Sequence, residues 1–285
     1  MNTRIAAFKR MVWEHYRAQG RHDLPWRPPL LKVRADGTGN PYYVLVSEVM
    51  LQQTQTARVV QKYGGFLKLF PTVSSLASAP PRRVLAAWQG LGYNRRALAL
   101  HNAAKEIVTR HEGRIPRTRE ELIALPGIGP YTAGAVLAFA FNEPAVFIET
   151  NIRRAYLDFF FSEKEDVKDA DIFPVVAETI DTKNPREWYY ALMDYGAALG
   201  KTSVNANRRS AHYTRQSVFE GSERQLRARI VRILVARPRT QASLIKELGE
   251  TSERIARSVG SLLKDGMVVR DGRRLSITAG GTLEV

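Results

Sequence analysis

The stretch that most constrains this chain is residues 122–154, LIALPGIGPYTAGAVLAFAFNEPAVFIETNIRR. Apolar residues of a helix end (Leu122, Ile123, Leu125) run into Leu125-Pro126-Gly127-Ile128-Gly129, and a second helix restarts at Pro130 with the small residues Thr132, Ala133, Gly134, Ala135 and Ala138. The pattern predicts helix, tight hairpin, helix. Gly127 and Gly129 can take positive φ and bare their amides, and Pro130 suits a first turn whose free N–H groups point outward. Such a corner can cradle a backbone phosphate. About twenty residues on, Glu149 stands in the otherwise apolar FIETNIRR, a carboxylate followed by arginines and a catalytic candidate. Alone, LPGIG is equally an ordinary helix–turn–helix corner, and a lone glutamate at a helix start commonly caps that helix. The hypothesis rests on the two together.

A chain of 285 residues is long enough for one sizeable core and a smaller unit, and 44% hydrophobic residues make it globular. Lys and Arg exceed Asp and Glu by 43 to 28, a net charge of +15, which points to a polyanion, most simply nucleic acid, or else to a merely basic soluble protein. There is no cysteine, so disulfides, thiolate metal sites and iron–sulfur ligation are excluded. The start MNTRIAAFKRMVWEHYRAQG has no apolar core of a leader, and no run is long enough to span a bilayer. The expectation is a soluble intracellular protein.

Residues 3–19 place Ile5, Phe8, Met11, Val12 and Tyr16 at helical spacing, and the Pro- and Gly-rich 28–41 reads as a loop. From Tyr42 one or two buried helices follow, yet they contain Glu48; a carboxylate in an apolar run is costly unless paired or protonated. Glu48 is the second catalytic candidate, with a buried hydrogen-bond partner as the alternative. Short helices between Pro and Gly punctuation fill the middle, and LGYNRR places an aromatic and two arginines at a helix start. Further helices are expected at about 173–181 and at 186–199. After a basic stretch without clear period the texture changes at about 220. Three helices follow, the first with Leu226, Ile230, Ile233 and Leu234 inward, and then two strands around Asp271-Gly272. This order is a winged helix, which contacts DNA through its third helix (Arg254, Arg257) and its wing (Arg270, Arg273, Arg274), or serves as a protein-contact module.

Taken in order, LPWR, PYYVLVSEVMLQQTQTARV, LAAWQGLGYNRRALAL, LPGIGPYTAGAV, ETNIRR and LMDYGA resemble the MutY-type adenine DNA glycosylases of the helix–hairpin–helix superfamily, over about residues 5–218. The resemblance implies a mainly α fold: a glycosylase domain over 1–219, with 28–134 as a six-helix barrel and 1–27 joined to 135–219 as a second helical subdomain, followed by the winged helix at 220–285. It implies that Glu48 protonates a flipped purine at N7 and that Gln53 and Thr54 wedge into the duplex beside Leu91 and Tyr93. Gly127, Ile128 and Gly129 would hold the backbone. Leu24, Trp26 and Arg27 match pocket-lining positions, Asp194 a carboxyl near the base, and Asn151 the asparagine two residues beyond the catalytic acid. Tyr131 falls where relatives that also cut the strand carry a lysine, implying a monofunctional enzyme.

The chain departs from that pattern in three places. Glu149 stands where the family has an aspartate, moving the carboxyl by about 1.5 Å, and misplacement of about 1 Å can cost on the order of a hundredfold. The positions of the four cluster cysteines fall on Gly200, Asn207, Ser210 and Gln216, so no iron–sulfur cluster and no other metal is expected. The winged helix stands where the family's 8-oxoguanine-reading domain would be. The resulting expectation is a metal-free, monofunctional glycosylase, acting as a monomer in the cytoplasm or at the nucleoid on double-stranded DNA with a mismatch or lesion, with no membrane association. Its first-choice base is adenine opposite guanine or 8-oxoguanine. A thymine, uracil or other modified-base glycosylase and a non-catalytic DNA-structure binder are the alternatives.

Overall fold

In the computed structural model, residues 2–27, 39–202, 205–214 and 218–279 are described. Gln216 and most of the expected 28–41 loop lie outside them. The chain divides into two compact units, one of residues 1–48, 117–124 and 128–215, the other of 49–116, 125–127 and 216–285.

The first unit is helical. It contains α1 (Asn2–Gln19), most of α2 (Pro41–Leu51), α7 (Arg119–Ile123), α8 (Pro130–Phe141), α9 (Thr150–Phe160), α10 (Asp169–Thr179) and α11 (Pro185–Thr202), with a 3-10 turn at Ala206–Arg209. Helix α8 is buried from Thr132 to Ala140, which its small and apolar residues permit. Arg186 closes its C-terminal end by donating from Nε to the Phe139 carbonyl (2.7 Å). Phe8 of α1 packs against Tyr156 and Phe160 of α9, ring centroids 5.0 Å from each. Helices α9 and α11 approach so closely that a Cβ on Gly196 would lie 2.0 Å from the Asn151 carbonyl oxygen. Only glycine fits that crossing.

The second unit holds α3 (Thr56–Leu69), α4 (Val73–Ala77), α5 (Pro81–Trp88) and α6 (Arg95–His111), packed around Trp88, Phe66 and Phe70. Against α5 and α6 lies the C-terminal segment: α12 (Glu223–Ala236), β1 (Arg239–Thr240), α13 (Gln241–Leu248), α14 (Ser252–Lys264), β2 (Val268–Asp271) and β3 (Arg274–Ile277). Its antiparallel sheet has the order β1-β3-β2, so the winged-helix expectation holds with one strand added. The pairing Asp271↔Arg274 makes Gly272 and Arg273 the two-residue turn, one position later than the Asp271-Gly272 read from sequence. Gly272 takes φ +53°, and its neighbour follows it round the corner. Leu226, Ile230 and Leu234 are buried as expected, but Ile233 is only half-buried and Val231 is buried in its place.

The hairpin lies where the division between the units passes. Gly127 has φ +76°, and a Cβ there would meet Ala99 Cβ at 2.6 Å. Gly129 does not take positive φ: at φ −90°, ψ 176° it is extended and forms the N-cap of α8 with Pro130 behind it. One left-handed residue turns the corner, so the second glycine serves by lacking a side chain, with open space where a Cβ would stand. Ile128 is buried while Gly127 and Gly129 are exposed, which leaves the corner's main chain accessible.

Candidate active site

Glu48 lies three residues from the C-terminal end of α2, in the run Tyr42 to Met50 where Val44, Leu45, Val46, Val49 and Met50 are all buried. It is 3% exposed. Tyr131, in the first turn of α8, donates its hydroxyl to Glu48 Oε2 at 3.0 Å. Burial pushes the Glu48 carboxyl up to about 7; the Tyr131 hydrogen bond pulls it down, the charge of Glu149 pushes it up, and Arg27 pulls it down. The carboxyl is therefore divided between acid and anion at neutral pH, the condition that suits a general acid.

Glu149 is the N-cap of α9. Its Oε1 accepts the amides of Asn151 (2.7 Å) and Ile152 (2.8 Å), and Oε2 accepts the Asn151 side-chain amide at 3.3 Å. Burial raises its pKa, against which the two helix amides, Arg153 and Arg154 act. The long glutamate stem folds back onto the amides that a shorter aspartate would cap. Burial likewise raises Tyr131, and the charges of both Glu48 and Glu149 add to that rise. Glu48, Tyr131 and Glu149 thus act on one another electrostatically.

Leu24 and Trp26 are buried. Arg27, 2% exposed, forms a bidentate pair with Asp194 (NH1 to Oδ2 2.7 Å, NH2 to Oδ1 2.9 Å) and stacks 4.3 Å over Tyr190. Arg21 donates its amide and its Nε to the same carboxylate (2.8 and 2.6 Å). These cations hold the Asp194 carboxyl below the ordinary carboxylate range although burial opposes them. Both Asp194 oxygens are thus occupied by arginines, and its evident work is to orient Arg27.

The four residues assigned to the duplex are brought together in the second unit. Thr54 Oγ1 donates to the Leu91 carbonyl at 3.3 Å. Gln53 (φ +51°) and Tyr93 (φ +45°) both sit in the left-handed region, strained for residues with side chains. Arg96 ties the two loops. Its NH1 donates to the carbonyls of Val49, Met50 and Gln52, its NH2 to Thr54 Oγ1 (2.9 Å) and to the carbonyls of Leu91 and Gly92. Sequence reading noticed the arginines of LGYNRR without this role, since backbone acceptors leave no mark in a sequence. In the winged helix, Arg257, Arg273 and Arg274 are exposed. Arg254 instead pairs with Glu223 and Glu250 and donates to the Gly221 carbonyl, so the structure ties it down inside the domain.

The positions where the resemblance implies cluster ligands offer no thiolate. A Cβ on Gly200 would meet Arg154 NH1 at 2.5 Å, Asn207 donates its side-chain amide to the Thr150 carbonyl (3.1 Å), and Ser210 Oγ accepts the His212 amide (3.1 Å). A glycine, an amide and a hydroxyl do not fit an iron–sulfur cluster. Arg154 is a residue the sequence reading passed over beyond noting arginines after Glu149. It donates to Asn151 Oδ1 (3.0 Å), the Gly196 carbonyl (2.6 Å) and Asn205 Oδ1 (3.2 Å), joining α9, α11 and the loop after α11. Among the described residues no group of three His, Asp or Glu could hold a metal ion, and no helix is long and apolar enough to cross a membrane.

Residues 46–171 match the family of HhH-GPD superfamily base excision DNA repair proteins. The chain is similar to a protein of Mycolicibacterium smegmatis named adenine DNA glycosylase, 34% identical over 275 residues, covering 89% of this chain and 90% of that one. It is likewise 34% identical to the adenine DNA glycosylase of Mycobacterium tuberculosis over 277 residues, covering 88% of each. In fold it is similar to a thermostable thymine-DNA glycosylase, with a TM-score of 0.59 and 24% identity, covering 69% of this chain and 87% of that one. With these matches, the chain belongs to the MutY-type DNA glycosylases of the HhH-GPD superfamily, enzymes of base excision repair.

Proposed function

We propose that this DNA glycosylase removes adenine paired with guanine or 8-oxoguanine and leaves the strand uncut. The observation that carries the reading is the buried Glu48–Tyr131 pair, whose carboxyl holds its proton up to about pH 7. The name shared by the mycobacterial relatives supplies the base.

In this reading the adenine is everted and Glu48 gives its proton to N7. The electron pair of the C1′–N9 bond leaves with the base, and the sugar becomes an oxocarbenium-like cation. Glu149, anchored by two amides, presents a carboxylate to that cation. Water adds at C1′, and its proton passes to a carboxylate. Tyr131 is a phenol where strand-cutting relatives hold an amine, so no Schiff base forms. Trp26 and Leu24 line the pocket with Arg27, which Asp194 orients. The main chain at Gly127 and Gly129 and the wing arginines Arg273 and Arg274 meet phosphates, while Gln53, Thr54, Leu91 and Tyr93 enter the duplex. The loop after α11 is held by Arg154, Asn205 and Asn207 in place of a cluster. Residues 1–219 act as the glycosylase and 220–285 as its attached winged helix, in a monomer working at the nucleoid.

The test is a panel of duplexes with adenine opposite guanine or 8-oxoguanine and thymine or uracil opposite guanine, each treated with alkali after incubation with the full chain. Alkali-labile sites at adenine are expected, with an uncut strand before alkali. Release of thymine or uracil with adenine spared would overturn the choice of base, and strand cutting before alkali would overturn the monofunctional assignment.

A further inference from the structure

Next to the duplex-entering residues, the turn from Gly90 to Tyr93 places three residues in left-handed backbone: Gly90 (φ +95°) and Gly92 (φ +73°), which adopt it freely, and Tyr93 (φ +45°), which does not. A tyrosine there costs about 1–2 kcal/mol and persists only if its surroundings impose it. From within α5 and α6, Trp88 Nε1 donates to the Gly92 carbonyl at 3.1 Å, and Arg96 donates to the carbonyls of Leu91 and Gly92. The phenol itself is held by another part of the chain. Arg224, in the first turn of α12, donates NH1 to the Tyr93 hydroxyl at 2.7 Å, and its guanidinium lies 5.5 Å from the ring centroids of both Tyr93 and Phe219.

The same seam continues on either side. Arg95, next to the turn, lies 3.8 Å from Asp265 at the end of α14, and Arg82 of α5 donates to the Val235 and Ala236 carbonyls that end α12. The third helix of the winged helix, by contrast, has turned Arg254 into ion pairs with Glu223 and Glu250, and Ser258 also donates to Glu223 (2.8 Å). We propose that Arg224 is a positioning residue for Tyr93, so that the winged helix acts on base recognition through the Leu91–Tyr93 turn. The inference rests on the reading that Tyr93 enters the duplex of a base-excision substrate.

A double-mutant cycle tests it, using Arg224→Ala, Tyr93→Phe and the pair in the full chain. Two quantities are measured: the enzyme concentration that half-saturates single-turnover excision, with the maximal rate, and the binding preference for a duplex with a tetrahydrofuran abasic analogue over an undamaged one. Loss of one charge-assisted hydrogen bond predicts that Arg224→Ala raises the half-saturating concentration by about tenfold and lowers the preference by about the same factor, with the maximal rate kept. Tyr93→Phe lowers the preference by a similar factor, and the double variant is no worse than either single one. Arg224→Lys recovers part of the loss, and it carries the cycle if Arg224→Ala does not fold. Unchanged half-saturation and preference in the Arg224 variants, or losses that multiply in the pair, would overturn the proposal. If the wild-type chain excises no base, the reading of activity fails, while the abasic-site preference still decides for or against Arg224.

Discussion

Glu48 and Glu149 are the same amino acid in opposite settings. Glu48 is buried near the end of a helix whose neighbouring residues are apolar, with one phenol donating to it among the described residues; Glu149 is half-buried at a helix start, with two main-chain amides on one oxygen. Both carboxyls are raised, but Glu48 by burial against a single phenol and the Arg27 cation, and Glu149 by burial against two helix amides and two arginines that hold it in place. Two like carboxylates that feel one another are set apart because their environments differ, not their chemistry.

The largest effect expected from breaking this pair is at Glu48. Glu48→Gln removes the acid but keeps a group that can accept the Tyr131 hydroxyl, and general acid catalysis supplies about 10²–10⁴-fold. Single-turnover excision should fall by that factor. Stability should move the other way. A folded-state value near 7 against 4.5 unfolded means that the native state binds the extra proton between these values, so the carboxylate costs stability that is fully felt above pH 7. The shift corresponds to about 3 kcal/mol. Melting curves of Glu48→Gln and wild type should separate, with the variant higher, as pH rises from about 5 to 8; a variant that melts lower at pH 8 would contradict the buried-acid assignment.

Glu149→Gln should cost about 10²–10³-fold in rate, the scale of losing one preorganised electrostatic contact in a water-poor site. The amide oxygen still caps α9, so the melting temperature should stay close to wild type. Its second effect sharpens the comparison. Because the Glu149 charge raises Glu48, removing it lowers the Glu48 value, and the alkaline limb of the rate profile should begin at lower pH. A limb that does not move would mean the two carboxyls do not share a site.

Glu149→Asp asks what fixes the carboxylate. If stem length did, the change would cost up to the hundredfold of a misplacement of about 1 Å; if the amides do, the rate should stay within about tenfold. Aspartate is also the better N-cap, so stability should hold or rise slightly in a thermal melt. The structure favours the amides, since the glutamate already reaches both at 2.7 and 2.8 Å.

Much of this was legible from residues alone. Apolar periodicity and Pro or Gly punctuation located most of the helices, though not α9, and placed α10 at about 173–181 where it runs from Asp169 to Thr179; two carboxylates in apolar surroundings marked Glu48 and Glu149. What escaped was set by distant partners. The Arg239–Thr240 strand is too short to carry a period and exists because β3 offers it an edge. Gly129 looked like a second left-handed glycine, but a single such residue at Gly127 completes the corner. Asp194 matched a pocket carboxyl by position, and only its contacts with Arg21 and Arg27 show an anchor. Arg96, Arg154 and Arg224 carry the long-range order largely through backbone carbonyls and a phenol, acceptors present in every sequence and therefore uninformative in one.

The smallest effect lies in the hydrogen bond that joins α8 to Glu48. Tyr131 donates its hydroxyl to the carboxylate, an interaction stronger with the anion than with the acid, and so it holds Glu48 below the value burial alone would set. Tyr131→Phe removes the donor and leaves the ring, which packs edge-to-face with Phe147 at a centroid distance of 5.8 Å, so packing is kept. The Glu48 value should then rise and the alkaline limb of single-turnover excision should move to higher pH, opposite in sign to the shift in Glu149→Gln. At pH below 6, where Glu48 is protonated in either protein, the rates should agree within a few-fold, the size of one neutral hydrogen bond. The opposed shifts are the decisive feature: a general loss of structure would move both limbs the same way, whereas a donor and a like charge acting on one carboxyl must move them apart.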